Sequence, residues 1–324
     1  MFTILYSLGA LSTRSNLLSI LLLGRVAGGI GTSLLFSAPE AWLVGEHQRQ
    51  GFDGKWLGQT FGWAYAGDAL VAITAGQLAS VMDTKQGPTG PFTLSLGFLL
   101  GGALLALLRW KENKASNDST GNGNDLTIRD GIRKVIEDKR ILLVGAVQAL
   151  FEGAMYIFVL QWPPAIRAAV LSQFGQAANV PYGKIFSCFM ACCLLGTTAF
   201  GSLQSKGVKT ETTSAGMLTV AAAAMGMATA SVSGANMAGL AAAFLAFEVC
   251  VGMYFPLVGT LRSKYIPDSH RSVIMNLFGI PLNLIVVSVF LSIKKLGVKG
   301  ALTCSTASLA IATLCMSSLR SWKS

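Results

Sequence analysis

An all-α, polytopic membrane fold is the class this sequence predicts, with about ten transmembrane helices in two helical bundles, four in the first and six in the second. Three observations predict it. Of the 324 residues, 52% are hydrophobic and only 12% are charged, against about a quarter charged in an ordinary water-soluble domain. The apolar residues fall in long runs of about 20, the length that crosses the hydrocarbon of a bilayer. Glycine is abundant at 36 residues, and small residues let helices approach closely where lipid removes the hydrophobic drive for association.

The elements follow in order. Backbone polar groups in lipid must be satisfied within their own segment, so each run reads as a helix. A short run over residues 2–12 comes first, followed by full spans near 17–45, 56–82 and 90–110. No positive charge precedes the 2–12 stretch and no small-residue cleavage site follows it, so it does not read as a signal peptide. The 17–45 and 56–82 runs exceed the length a span needs, which predicts tilt or extension past the membrane. Pro39 is the expected kink in the first of them.

A polar stretch then interrupts the pattern. Residues 111–138 read KENKASNDSTGNGNDLTIRDGIRKVIED. Its Asn/Ser/Gly-rich start predicts a linker. Its end places Ile128, Ile132, Val135 and Ile136 on one helical face, with Arg129, Arg133 and Lys134 among them. That pattern suits an amphipathic helix on an anionic membrane surface, or a loop helix covering the end of a bundle. Six spans follow, near 140–165, 184–204, 213–234, 236–261, 272–293 and 300–319. The expected domains are therefore an incomplete N-terminal bundle over 1–110, a linker over 111–139 and a six-helix bundle over 140–324.

The formal net charge is +10. The basic residues border the spans rather than form a single patch, so nucleic acid is not an expected partner; the bilayer is. Most of the 25 Lys and Arg fall on one side of the alternating loops, Arg109, Lys111, Arg133, Lys134, Arg140, Arg262 and Lys264 among them. The other side holds Arg14, Lys85, Arg167, Lys184 and the cluster Lys294, Lys295 and Lys299. The asymmetry places the 111–139 linker and the C-terminus in the cytoplasm.

Cys188, Cys192, Cys193, Cys250, Cys304 and Cys315 all lie in apolar runs without metal-ligand spacing. They read as small buried hydrophobes, with no disulfide framework. His47 and His270 sit at span edges, and no Gly-rich phosphate loop, metal constellation or nucleophile–base pair is present in the pattern. No enzyme, cofactor or metal site is expected.

Ionisable residues inside spans are the strongest functional candidates, because each charge costs about 2.5–3.5 kcal/mol at a helix centre. They are Arg25, Glu40, Asp68, Glu152 and Glu248. At a rise of 1.5 Å per residue, Asp68, Glu152 and Glu248 each lie about 18 Å into their spans. Arg25 is the only basic residue placed deep in a span. Its planar fork suits a tetrahedral oxyanion, and a structural lock to a neighbouring acid is the competing reading. It lies about 22 Å along the same helix from Glu40, too far to pair. Gly24 and Gly28 beside it read as a helix-packing step.

Gln148 and Glu152 are one turn apart and share a face. With Gln161, they form a polar stripe expected to face a cavity, Glu152 carrying a proton or orienting a ligand and Gln148 donating a hydrogen bond. Interhelical polar contact is the alternative. Glu248 with Tyr254 has the same two readings. Asp68 is secondary, as a partner for a polar group elsewhere.

The segment GRVAGGIGTSLLFSAPEAWLVGEH, residues 24–47, resembles the fourth helix of the major facilitator superfamily, in which an Arg precedes spaced glycines, here Arg25, Gly28, Gly29 and Gly31. Its continuation is similar to the molybdate-anion transporter family of that superfamily. QALFEGAMYIFVLQWPPAI at 148–166, FSCFMACCLLGT at 186–197, FEVCVGMYFPLVGTLRSKYIP at 247–267 and RSVIMNLFGIPLN at 271–283 agree with it.

The resemblance implies major facilitator architecture and a secondary transporter of molybdate or a related oxyanion working by alternating access. It also implies that the family's first two helices are absent, that 17–45, 140–165 and 236–261 are cavity-lining helices, and that the plasma membrane is the location. Three mid-membrane carboxylates, Asp68, Glu152 and Glu248, against one arginine would repel an anion if all were ionised. Proton–anion symport resolves that conflict and predicts faster uptake at acidic external pH. The alternatives are a transporter of another small solute, such as a sugar or cation, and a non-transporting membrane scaffold or sensor.

Overall fold

The computed structural model describes residues 1–52, 54–110, 128–175, 178–234, 236–266 and 271–321. The described residues form eleven helices and no strand. Helices α1 (Phe2–Ser12), α2 (Leu18–Arg49), α3 (Gly54–Gln86) and α4 (Gly90–Arg109) come before the linker. Helix α5 (Ile128–Glu137) ends it, and α6 (Lys139–Phe174), α7 (Tyr182–Ser205), α8 (Thr210–Ser233), α9 (Met237–Tyr265), α10 (Arg271–Leu291) and α11 (Ile293–Ser321) follow. Each predicted run falls mainly on one helix, the 272–293 run passing the end of α10 to the first residue of α11.

Among the described residues, eight helices are long and apolar enough to cross a membrane: α2, α4 and α6 to α11. The expected count of ten is not reached on that measure. Helix α1 has only 11 residues. Helix α3 has 33, but Gln59, Asp68, Gln77 and Asp83 dilute its hydropathy. The all-helical, multi-pass membrane class holds.

Two boundaries differ from the sequence expectation. Helix α6 continues through Pro163 and Pro164 to Phe174, because a chain without water has no cheaper partner for its amides than the helix itself. Helix α2 also runs through Pro39, which the 17–45 run contains. The segment Ile293–Ser321 contains a break at Gly297, whose φ of 61° is left-handed and is open to glycine without steric cost. Lys294 and Lys295 precede that break, and Lys299 follows it.

The helices group into two compact units. One holds α1 to α4 with residues 183–187; the other holds α5, α6, the rest of α7, and α8 to α11. In the first unit α1 packs on α2 through small residues. A Cβ on Gly24 would collide with Ser12, and one on Gly31 would collide with Tyr6. The Tyr6 hydroxyl meets Thr32 Oγ1 at 2.9 Å. A Cβ on Gly28 would meet nothing within 4 Å, so Gly31 rather than Gly28 is the second glycine that admits a side chain of α1.

The second unit has a large side-chain core. Phe151, Phe158, Phe244, Phe247 and Tyr254 are all nearly inaccessible and stack or meet edge-on. Helix α6 starts at the N-cap Asp138, whose carboxylate accepts from Arg140 N at 2.9 Å. Helix α9 starts at Asn236, which accepts from Gly239 N at 3.0 Å. Val135 of α5 packs against Ile141, Ile266, Ile274 and Phe278. Ile132 and Ile136 remain exposed; Ile128 and Arg129 have side chains outside the described ones. The linker helix thus covers part of the second unit with one edge of its apolar face.

Candidate functional site

Two neighbouring helices of the second unit, α6 and α9, carry the polar cluster most suited to binding. Gln148 and Glu152 project from one face of α6, four residues apart. Tyr254 and Arg262 sit eight residues apart on α9, two turns and roughly the same face. Tyr254 is completely buried. Its ring stacks on Phe151 with centroids 4.1 Å apart, and that contact aims its hydroxyl at Glu152. The hydroxyl donates to Glu152 Oε1 at 2.7 Å.

Arg262 lies in the last turn of α9. Its Nε donates to Gln148 Oε1 at 3.0 Å and its Nη2 donates to Glu152 Oε1 at 3.2 Å. One carboxylate oxygen therefore accepts both a phenol and a guanidinium. Arg262 and Glu152 side chains are each 20% exposed, which combines partial desolvation with access. A guanidinium carries five N–H donors in a rigid fork. Two of them serve these described bonds, which leaves donors for a further oxygen ligand.

A second pair lies elsewhere on α9. Glu248 is buried, and Cys193 Sγ of α7 donates to its Oε2 at 2.9 Å. Close helix contact makes this possible. A Cβ on Gly252 would collide with the Cys193 backbone, and one on Gly196 with the Val249 backbone. Thr197 Oγ1 adds a hydrogen bond to Gly252 O at 3.0 Å. A third group joins helix ends. Glu211, in the first turn of α8, accepts from Lys264 Nζ at 2.5 Å and from Tyr265 OH at 2.7 Å.

The expected site residues separate accordingly. Gln148, Glu152 and Tyr254 come together. Glu248 does not join Tyr254: six residues place them on different faces of α9, and each finds a different helix. Gln148 accepts rather than donates in its described bond, since the guanidinium has only donors. Gln161 is buried on α6 but makes no described hydrogen bond, about 13 Å further along the helix than Glu152. Arg25 and Asp68 belong to the first unit, where both are exposed. Arg25 has no ion pair among the described residues. The Glu40 side chain lies outside the described ones.

Two participants escape the sequence reading. Arg262 counts there as a span-end base, although its spacing from Tyr254 is a helical signal that could identify it. Cys193 counts as a buried hydrophobe, and no linear pattern ties it to Glu248. Buried is also wrong for most of the cysteines. Cys188 is exposed and, of the six, Cys250 alone is buried; all six are free thiols.

The comparisons with known proteins bear on the family and the fold. Residues 1–255 match a family model described as sugar transporters with 12 transmembrane segments. A molybdate-anion transporter of Xenopus tropicalis is 32% identical over 292 residues, 88% of this chain and 62% of that protein. One from Takifugu rubripes is 30% identical over 313 residues, 88% of this chain and 63% of that protein. The chain thus spans somewhat under two thirds of the length of these relatives.

Among solved structures, a bacterial homologue of the iron transporter ferroportin, in an inward-facing state, superposes with a TM-score of 0.66 at 14% identity. That match covers 99% of this chain and 81% of the other. The E. coli fucose:proton symporter gives 0.60 at 17% identity, covering 99% and 83%. These two share the fold. With the family match running through more than half of its residues, the chain belongs to the major facilitator superfamily and is a relative of the proteins named molybdate-anion transporter.

Proposed function

We propose that this chain carries out secondary transport of molybdate or a similar oxyanion across a membrane by alternating access, coupled to protons. The observation that carries the reading is the Arg262 fork, held by Gln148 and Glu152 with donors to spare. The names of the relatives supply the anion class. Arg25, one arginine of the other unit, remains a candidate second anion contact, with Glu40 and Gln161 as polar residues along the same helices and Asp68 as a secondary charge.

Coupling follows from competition. Glu152 and an oxyanion require the same guanidinium. When an anion on the remaining donors neutralises the guanidinium, Glu152 loses its counter-charge, and an ionised carboxylate left without a compensating cation is costly in a desolvated site. Taking up a proton removes that cost. Anion and proton then occupy the site together and leave together. Glu248, held by Cys193, is a second carboxylate available to carry a proton.

The test is uptake of radiolabelled molybdate into proteoliposomes, with tungstate, sulfate and fucose as competitors and with external pH varied. Competition by tungstate, faster uptake at acidic pH, and loss of that pH dependence in Glu152→Gln support the reading. Uptake independent of pH sinks the coupling. Uptake of a sugar or cation in place of molybdate sinks the anion assignment and favours another solute. Arg262→Gln with full uptake would remove this site from the mechanism and return the weight to Arg25.

A further inference from the structure

An open groove runs along the second unit between α7, α8 and α9, with a volume of about 500 Å³. Its lining is almost wholly apolar and includes Leu203, Val208, Met217, Val220, Val249 and Met253. No residue of its lining belongs to the Arg262 cluster. An apolar groove in a membrane protein is filled by hydrocarbon, and its end shows which kind of lipid it fits.

That end is basic. The turn between α7 and α8 is Lys206–Gly207–Val208–Lys209. Val208 lines the groove, while Lys206 and Lys209, the residues two before and one after it, are exposed. Neither lysine has an ion pair among the described residues. The one carboxylate close in sequence, Glu211, is already occupied by Lys264 and Tyr265. From this turn the lining follows α8 to Val220, about 15 Å along the helix axis, a depth that belongs to acyl chain rather than headgroup. Lysines bordering a slot between transmembrane helices hold an anionic headgroup at the membrane surface.

We infer that this groove is a binding site for an anionic phospholipid, with one acyl chain lying along α8 and α9 and the headgroup phosphate on Lys206 and Lys209. The turn that carries the lysines also supplies the top of the groove, so charge and hydrocarbon are matched within four residues. The lysines lie on the side that the distribution of basic residues assigns to the cytoplasm, where anionic lipids concentrate.

Gly216 makes the site testable without disturbing the core. It lines the groove, and a Cβ there would meet nothing within 4 Å. A leucine at this position occupies the space meant for the acyl chain and also favours the helix over glycine. The experiment is native mass spectrometry of the whole 324-residue chain, purified in detergent and titrated with phosphatidylglycerol, phosphatidylcholine or water-soluble glycerophosphate. Size-exclusion profiles and circular dichroism check that each variant is folded.

Two lysines near the surface predict a preference for phosphatidylglycerol over phosphatidylcholine of roughly 30-fold in retention. Lys206→Gln with Lys209→Gln brings that ratio close to one. Gly216→Leu lowers retention of both lipids with the lysines intact. Equal retention of the two lipids by the unaltered chain overturns the inference. So does a Gly216→Leu chain that holds phosphatidylglycerol as well as before, since the lysines would then act without the groove. Glycerophosphate bound as tightly as the lipid overturns it too, by showing a free-anion site.

Discussion

The two units of this chain are built from the same kind of helix and held together differently. In the first unit no hydrophobic side chain of the described residues is buried, and Leu22, Leu23, Val26 and Ile30 of α2 are exposed. Its described contacts use Gly24, Gly31, Tyr6 and Thr32 between α1 and α2. In the second unit, aromatic side chains fill the space between helices, and charged groups are paired inside it. The contrast teaches where a charge can be placed. Arg262 and Glu152 are tolerable in an apolar bundle because each supplies the other's partner; Arg25 has no such described partner and depends on whatever surrounds the first unit.

The sharpest break of that comparison is Arg262→Met against Arg25→Met. Removing one member of a partly desolvated pair strands the other, so Arg262→Met costs about 3–5 kcal/mol. Arg25→Met, with no described partner to strand, changes stability by under about 0.5 kcal/mol. Thermal unfolding in detergent reads both. Equal losses would show that Arg25 is paired as strongly as Arg262. Adding Glu152→Gln to Arg262→Met should recover part of the loss.

Glycines offer the next test. Gly252→Leu forces a side chain into the Cys193 backbone and costs about 3 kcal/mol by overpacking. Gly28→Ala in the first unit meets open space and gains about 0.5–1 kcal/mol from helix propensity. A destabilised Gly28→Ala would reveal a close neighbour of α2. Tyr254→Phe removes one hydrogen bond to a carboxylate while keeping the stack on Phe151, and loses about 2 kcal/mol. Full stability in that variant would mean the hydroxyl adds nothing that the guanidinium does not already provide.

The mildest of the predicted losses of a described contact is at the entrance to α6. Asp138→Ala removes an N-cap and costs about 1 kcal/mol. Burial pushes the Asp138 carboxyl up, but hydrogen bonds from the Arg140 side chain and backbone outweigh it and hold it below its ordinary value. The stabilisation is therefore present above the unfolded value of about 3.9 and is lost as pH falls below it through the depressed one. Melting curves of the two proteins should converge as the pH falls below that depressed value. A constant gap below that value would show that the carboxylate's charge is not what caps the helix.

Much of the fold is legible in the sequence. The run read at 184–204 is the helix Tyr182–Ser205, and that at 236–261 is Met237–Tyr265. The site is legible only where it obeys helical spacing. Gln148 and Glu152 announce a shared face at four residues apart, whereas Arg262 lies 110 residues from Glu152 along the chain and reads as one more base at a membrane edge. Glu248 and Tyr254 look paired on paper and are divided by the twist of α9. The end of the 140–165 run is legible only in part: α6 continues past Pro163 and Pro164 to Phe174 in an apolar bundle.

Local composition is enough to set the helices and the membrane class, because a chain that cannot hydrogen-bond to lipid must close its backbone bonds locally, and local bonds follow local composition. Which charge neutralises which is fixed by packing between helices. The Arg262 fork selects Glu152 and Gln148, Cys193 selects Glu248, and Lys264 selects Glu211. Those choices depend on which helix faces lie within about 3 Å of one another, and that adjacency is set by packing between helices distant in the chain.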